Sequence, residues 1–153
     1  ALVQTGGVNY LYTPAKGYGY VYTGNKGNNN SQVSYGDSYT SGDYISVAFD
    51  QTNGSIWFAK NGVWQNSATT AEIGAGTTTN SAYSSMPTNG EFYAAAFGLD
   101  NNAVTSINYG NGTFGTTTLG TTYSPTVGDT GAKFKYNIIP TGFTAVSTKG
   151  YNA

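Results

Sequence analysis

The chain contains no histidine, no cysteine and no arginine. Without histidine it lacks the side chain that shuttles protons near neutral pH. Without cysteine it has no thiolate nucleophile, no cysteine-held zinc cluster and no disulfide. Charge is scarce too: 8% of residues are charged, against roughly 25% in an average soluble domain. All six basic residues are Lys and the net charge is -1. Affinity for nucleic acid comes largely from Lys and Arg neutralising phosphates, so nucleic acid is not an expected partner. No apolar run approaches the roughly 18 residues a spanning helix needs, so no membrane insertion is expected. The first residues, Ala1-Leu2-Val3-Gln4, lack the basic start and apolar run of a signal peptide. They read as the start of a processed chain or of an excerpt from a longer one.

Glycine contributes 22 of the 153 residues and tyrosine 14, while Thr, Asn and Ser together supply 52. Such a surface is solvated by hydroxyls and amides rather than by charge. Few groups titrate and few charges are screened, so its properties change little with pH or salt. That suits a protein exposed to uncontrolled surroundings, and the absence of cysteine fits an extracellular or virion setting as it fits other compartments. Hydrophobic residues make up 38% of the chain and aromatic residues 15%, enough for one packed core in a chain of this length. A single domain over 1–153 is the expectation.

Helix formers never recur at 3.6-residue spacing for long. Strand patterns are frequent. Tyr44 to Phe49 alternates, with Ile45, Val47 and Phe49 on one face. Ile56-Trp57-Phe58-Ala59 is a short continuous apolar run, the pattern of a strand covered on both faces. Phe92 to Leu99 and Val104 to Tyr109 read as a further pair. Weaker strands are expected over Val8 to Tyr12, Tyr18 to Thr23, Ala132 to Tyr136, Gly142 to Val146 and Thr118 to Thr122. Asn-Gly occurs at 53–54, 61–62, 89–90 and 111–112, the dipeptide that tolerates the positive φ of tight hairpins. Many short strands with regular turn signals predict an antiparallel sandwich or barrel. Residues 66–89 and 115–131 read as Thr/Gly/Ser/Ala-rich loops.

The stretch from Tyr35 to Trp64, YGDSYTSGDYISVAFDQTNGSIWFAKNGVW, resembles the central signature of SPRY domains. Its parts are Gly42-Asp43, the alternating strand Ile45 to Phe49, Asp50 beside Asn53-Gly54, Ile56-Trp57-Phe58, and the Lys60 to Trp64 hairpin. Downstream, Glu91 to Phe97 is similar to the family's apolar strand after the long loop. Ile107-Asn108-Tyr109-Gly110 with Phe114 is similar to its Asn-Phe-Gly…Phe element. Pro140-Thr141-Gly142-Phe143-Thr144-Ala145 is similar to the ending of microbial and phage members. The resemblance runs from about residue 18 to 146. It implies a bent antiparallel β-sandwich of concanavalin-like, jelly-roll architecture with no catalytic residues, acting as a binding module through variable loops at one end. In that frame Ile45, Val47, Phe49, Ile56, Trp57, Phe58, Trp64, Phe97 and Phe114 are core. Family members have strands ahead of the point where Ala1 falls. The chain is therefore read as an excerpt of a longer polypeptide, or as a protomer whose edge at Ala1, Leu2, Val3 and Gln4 is completed by a neighbour.

The segment Tyr10 to Asn30 carries the strongest signal for contact. It holds Tyr10, Tyr12, Tyr18, Tyr20 and Tyr22, then Asn28, Asn29 and Asn30. Tyr supplies amphipathic area at low entropic cost and Asn supplies adaptable hydrogen bonds, the mix used by antibody loops. The competing reading is a half-exposed tyrosine strand followed by a solvated loop. Gly110 to Gly115 matches G-x-G-x-x-G, but no helix pattern follows, so it is not read as a dinucleotide site. Asp50 is read as capping its own turn rather than holding a metal, and no cofactor is expected. A two-carboxylate glycosidase is the one enzyme class the composition leaves open, and the carboxylates show no spacing for it. The expectation is a non-enzymatic virion-surface module of a phage, in a tail fibre, tail tip or capsid decoration. It would attach to a host-surface glycan or protein receptor and contact neighbouring subunits or the rest of its own polypeptide. The alternatives are a secreted carbohydrate-binding adhesion module of a bacterium, and a purely structural coat or filament subunit assembling through an open edge.

Overall fold

The computed structural model describes residues 12, 15–88, 104–126 and 131–145. The architecture is almost wholly antiparallel β. Two three-stranded sheets and one small hairpin account for every strand among the described residues.

The first sheet is β1 (Gly19–Tyr20), β2 (Asn25–Asn28) and β3 (Ser31–Ser34), in that spatial order. β2 and β3 pair from Asn25↔Ser34 to Asn28↔Ser31, leaving Asn29 and Asn30 as a two-residue turn. Both have positive φ, 49° and 58°, the backbone a type I′ hairpin turn demands and Asn tolerates. The Asn run, read as part of a contact segment with a solvated loop as the competing reading, thus ends at the tip of a hairpin.

The second sheet is β4 (Ile45–Asp50), β5 (Ser55–Lys60) and β6 (Val63–Trp64). Asp50 holds the β4–β5 turn as expected: its Oδ1 accepts from the amides of Thr52 (2.9 Å) and Asn53 (3.1 Å). Asn61 and Gly62, φ 49° and 84°, make the two-residue β5–β6 turn. Pairing of Ala48 with Trp57 and of Val47 with Phe58 assigns the faces. Trp57 and Ala59 share one face with Ala48 and Trp64, and that cluster closes on Ile73, with Ile138 and Phe143 packed against it. Phe58 lies on the other face with Tyr35 and Ala82, joined by Tyr20, Ile45, Ile56 and Tyr83. Tyr20 of β1 stacks on Phe58 with ring centroids 5.4 Å apart, which fastens the first sheet onto the second. Trp57 is 1% exposed and Phe58 is also buried. The continuous apolar run is thus covered on both sides, and the sheets form the sandwich.

Several expectations change. Val47, read as core, is 54% exposed. It shares Phe58's face but lies on β4, at the edge of its sheet, and buried Ala48 is the inward residue. Phe49, Ile56 and Phe114 are half-buried. A helix stands where a loop was expected: α1, Thr70–Gly74. Thr69 caps it, accepting from Glu72 N, while Glu72 accepts from Thr69 N at 2.9 Å. This reciprocal capping box sets buried Ile73 against the Trp57 cluster. Val104 to Tyr109 forms no strand, and Val104 is 91% exposed. Residues 132–136 contribute only the isolated bridges Asn111↔Lys133 and Tyr123↔Phe134. Residues 142–145 form no strand, and Phe143 instead packs edge-on against Trp57 at 6.4 Å. The expected strand at 18–23 narrows to β1. That at 118–122 becomes β8 (Thr117–Thr118), paired with β7 (Thr113–Phe114). The G-x-G-x-x-G match lies around this hairpin. Residues 1–4, Tyr10, and the 92–99 strand with Phe97 lie outside the described residues.

Candidate functional site

β1 and β3 both run toward the end of the sandwich where β4 begins, and the segment from Gly36 to Tyr44 crosses that end. It is fixed from several sides. Gly24 O accepts from Gly36 N at 2.8 Å. Gly24 has φ 90°, and a Cβ there would lie 2.4 Å from Gly36 O, so no other residue fits. Tyr39 N donates to Tyr22 O (2.9 Å) and Tyr39 Oη donates to Tyr20 O (2.9 Å). Beneath, the buried Gln65 side chain accepts from Asp37 N at 2.6 Å and donates to Val63 O at 2.9 Å. Tyr20 Oη donates to Asp37 O. Lys60 Nζ donates to Ser38 O at 2.7 Å and lies 3.5 Å from Asp43. Asp43 accepts from Thr40 N (2.9 Å) and Asn61 Nδ2 (2.6 Å).

These contacts set the electrostatics. The Thr40 amide, then the Asn61 side chain and the Lys60 charge, hold Asp43 below the usual carboxylate range. Burial, and secondarily the charge of Asp37, pushes Tyr20 up to about 12, so it remains a neutral donor. Burial raises Tyr35 and Tyr39 as well. Above this frame, Tyr22 is 67% exposed, and Asp37, Ser38, Thr40 and Ser41 face solvent. Tyr22 and this segment are joined through the Tyr39 N–Tyr22 O bond, so the exposed Tyr22, the Asp37 carboxylate and the hydroxyls of Ser38, Thr40 and Ser41 stand on a backbone that is already fixed.

The structure divides the sequence-predicted contact residues. Tyr12 is 8% exposed, packed over Gly27, and its hydroxyl accepts from Gln32 Nε2 at 2.6 Å. Tyr18 packs edge-on against Tyr83 at 5.0 Å, and Tyr20 belongs to the core. Asn28 ties the chain to itself, donating to Ala15 O (2.8 Å) and Gly17 O (2.9 Å). Asn29 and Asn30 are exposed at the far end of β2 from Tyr22. Tyr22 and the Asn turn are therefore not one surface. The sequence reading missed the segment 36–43 as a surface. Its signal was the density of Gly, Asp, Ser and Thr between Tyr35 and Tyr44.

Four carboxylates fall among the described residues: Asp37, Asp43, Asp50 and Glu72. The last three are engaged by their own turns or helix cap. Among the described residues no group of three acidic, His or Cys side chains could hold a metal ion. No described helix is long and apolar enough to cross a membrane.

A two-sheet antiparallel sandwich with its fixed loops at one end defines a scaffold of the binding-module class. The SPRY domain family model matches residues 2–112, and the chain belongs to that family. The SPRY domain is generally a binding or protein-interaction domain rather than a catalytic one. No curated protein and no solved structure matches the chain.

Proposed function

We propose that this SPRY domain is a non-enzymatic recognition module that contacts its partner through Tyr22 and the segment Asp37 to Ser41. One observation carries the reading: a loop pinned by Gly24, Gln65, Lys60 and Asn61 nonetheless presents its outward side chains to solvent. Ordering such a loop on binding costs little, because the ordering is already done. The partner is a host-surface glycan or protein, and the setting is a virion surface (a tail fibre, tail tip or capsid decoration) or otherwise extracellular. The scarcity of charge and the wealth of Tyr, Thr, Asn and Ser support that setting. Recognition by stacking and neutral hydrogen bonds loses little to salt.

A glycan array with the wild-type domain and Tyr22→Ala, at 50 and 500 mM salt, tests it. Saturable binding that survives the salt and falls with Tyr22→Ala is expected. Binding abolished by salt, or unaffected by the substitution, overturns the proposed surface.

A further inference from the structure

A separate cluster combines rings and a cation. Tyr44, at the entry to β4, faces Phe114 of β7 with centroids 5.2 Å apart and planes at 54°. It also faces Tyr136 at 6.1 Å and 76°. The near-perpendicular Tyr44 and Tyr136 rings form a corner with two π surfaces. Lys135 Nζ lies 4.1 Å from the Tyr44 centroid and 5.8 Å from that of Tyr136. All four side chains are half-buried. The corner is held from behind: the Tyr136 ring packs on Gly62, where a Cβ would lie 2.7 Å from the ring. Lys60, on the neighbouring strand, is by contrast paired with a carboxylate.

We propose that the Tyr44–Tyr136 corner, with Phe114 packed against Tyr44, is a recognition site for a methylated ammonium group, and that Lys135 occupies it in cis until such a group arrives. The face of an aromatic ring attracts cations through its quadrupole. A lysine ammonium is a compact, strongly hydrated charge, so it gives up its water reluctantly to sit against rings. A quaternary ammonium spreads the same charge over methyl groups and loses less on entering a partly desolvated aromatic corner. The ligand displaces Lys135, whose long stem reaches solvent from this half-buried position. Two sources carry this chemistry, a choline head group and a trimethyllysine side chain. The proposal does not rest on the Tyr22 surface, and Tyr22→Ala leaves it unchanged.

The test follows tyrosine ring signals by NMR during titration with choline chloride, with sodium chloride at matched ionic strength as control. Lys135→Ser, with the corner emptied, shows saturable shifts of Tyr44 and Tyr136. Wild type saturates at a roughly three- to tenfold higher concentration, because its own lysine competes. Adding Tyr136→Leu to Lys135→Ser removes saturation while circular dichroism remains native. Phosphocholine and a trimethyllysine tripeptide then separate the two sources by which saturates first. Shifts in folded Lys135→Ser that merely follow ionic strength, as with sodium, overturn the site. Equal saturation of wild type and Lys135→Ser overturns the role of Lys135.

Discussion

Gln65 gives the sharpest test of how the exposed loop is held. Replacing it by Leu keeps nearly the same volume and leaves no cavity, so the effect isolates hydrogen bonding. Two groups lose their partners, the Asp37 amide (2.6 Å) and the Val63 carbonyl (2.9 Å). Each buried orphan costs about 1–3 kcal/mol. Asp37 and Val63 are both exposed residues, so water recovers part of each share, and a total near 2 kcal/mol is expected. In a domain of this size that lowers Tm by roughly 4–8 °C. The diagnostic signal is local. If about 1.4 kcal/mol of the loss falls on loop opening, amide exchange at Asp37 accelerates roughly tenfold. Exchange at Trp57 and Ile73, which open only with the whole domain, should follow the global loss that the melt reads. The assay is hydrogen exchange read by NMR beside a thermal melt. Unchanged Asp37 exchange, with or without a shift in Tm, refutes the view that Gln65 anchors this loop.

Three further outcomes follow from the same contacts. Trp64→Ala empties a buried site in the Trp57 cluster and should cost roughly 3–5 kcal/mol by denaturant titration; an unchanged midpoint contradicts its core role. Asp43's depressed pKa means its contribution is present above the unfolded carboxylate value and is lost as pH falls through the folded one. Acidification should therefore loosen residues 38–43 first, and Asp43→Asn should remove that pH dependence in loop exchange. Tyr20, raised to about 12, contributes stability that is full below pH about 10 and declines above it; burial raises Tyr35, Tyr39 and Tyr83 as well, so Tyr20→Phe should reduce the late-ionising step of an ultraviolet titration by one tyrosine rather than remove it.

Much of the second sheet was legible because its residues state their own geometry. Asn61-Gly62 supplies the φ values of a two-residue turn, and Ile56 to Ala59 needs cover on both faces. The alternation of Ile45, Val47 and Phe49 misled at Val47. Periodicity reports which residues share a face, not whether that face is covered at the sheet edge. The helix at 70–74 was missed because five residues are too few for a 3.6-residue period. The Thr69–Glu72 pair at capping-box spacing was nonetheless present. The Tyr10 to Asn30 segment was read as one surface because its residues are neighbours in sequence. A hairpin reverses direction, so Tyr22 and Asn29 end a strand length apart. No local pattern reveals that Tyr12 is packed over Gly27, because that approach depends on how the chain before β1 folds back.

β5 touches two cores at once, Trp57 in one and Phe58 in the other. Neither layer can let go of it without exposing apolar surface on the opposite side. The two cores are therefore expected to unfold as a single cooperative unit, with slow-exchanging amides on both faces sharing one opening free energy. Such a unit resists partial opening, and partial opening is what proteases and aggregation exploit. Endurance of this kind comes from a strand shared between layers, in a chain that has no disulfide to supply it.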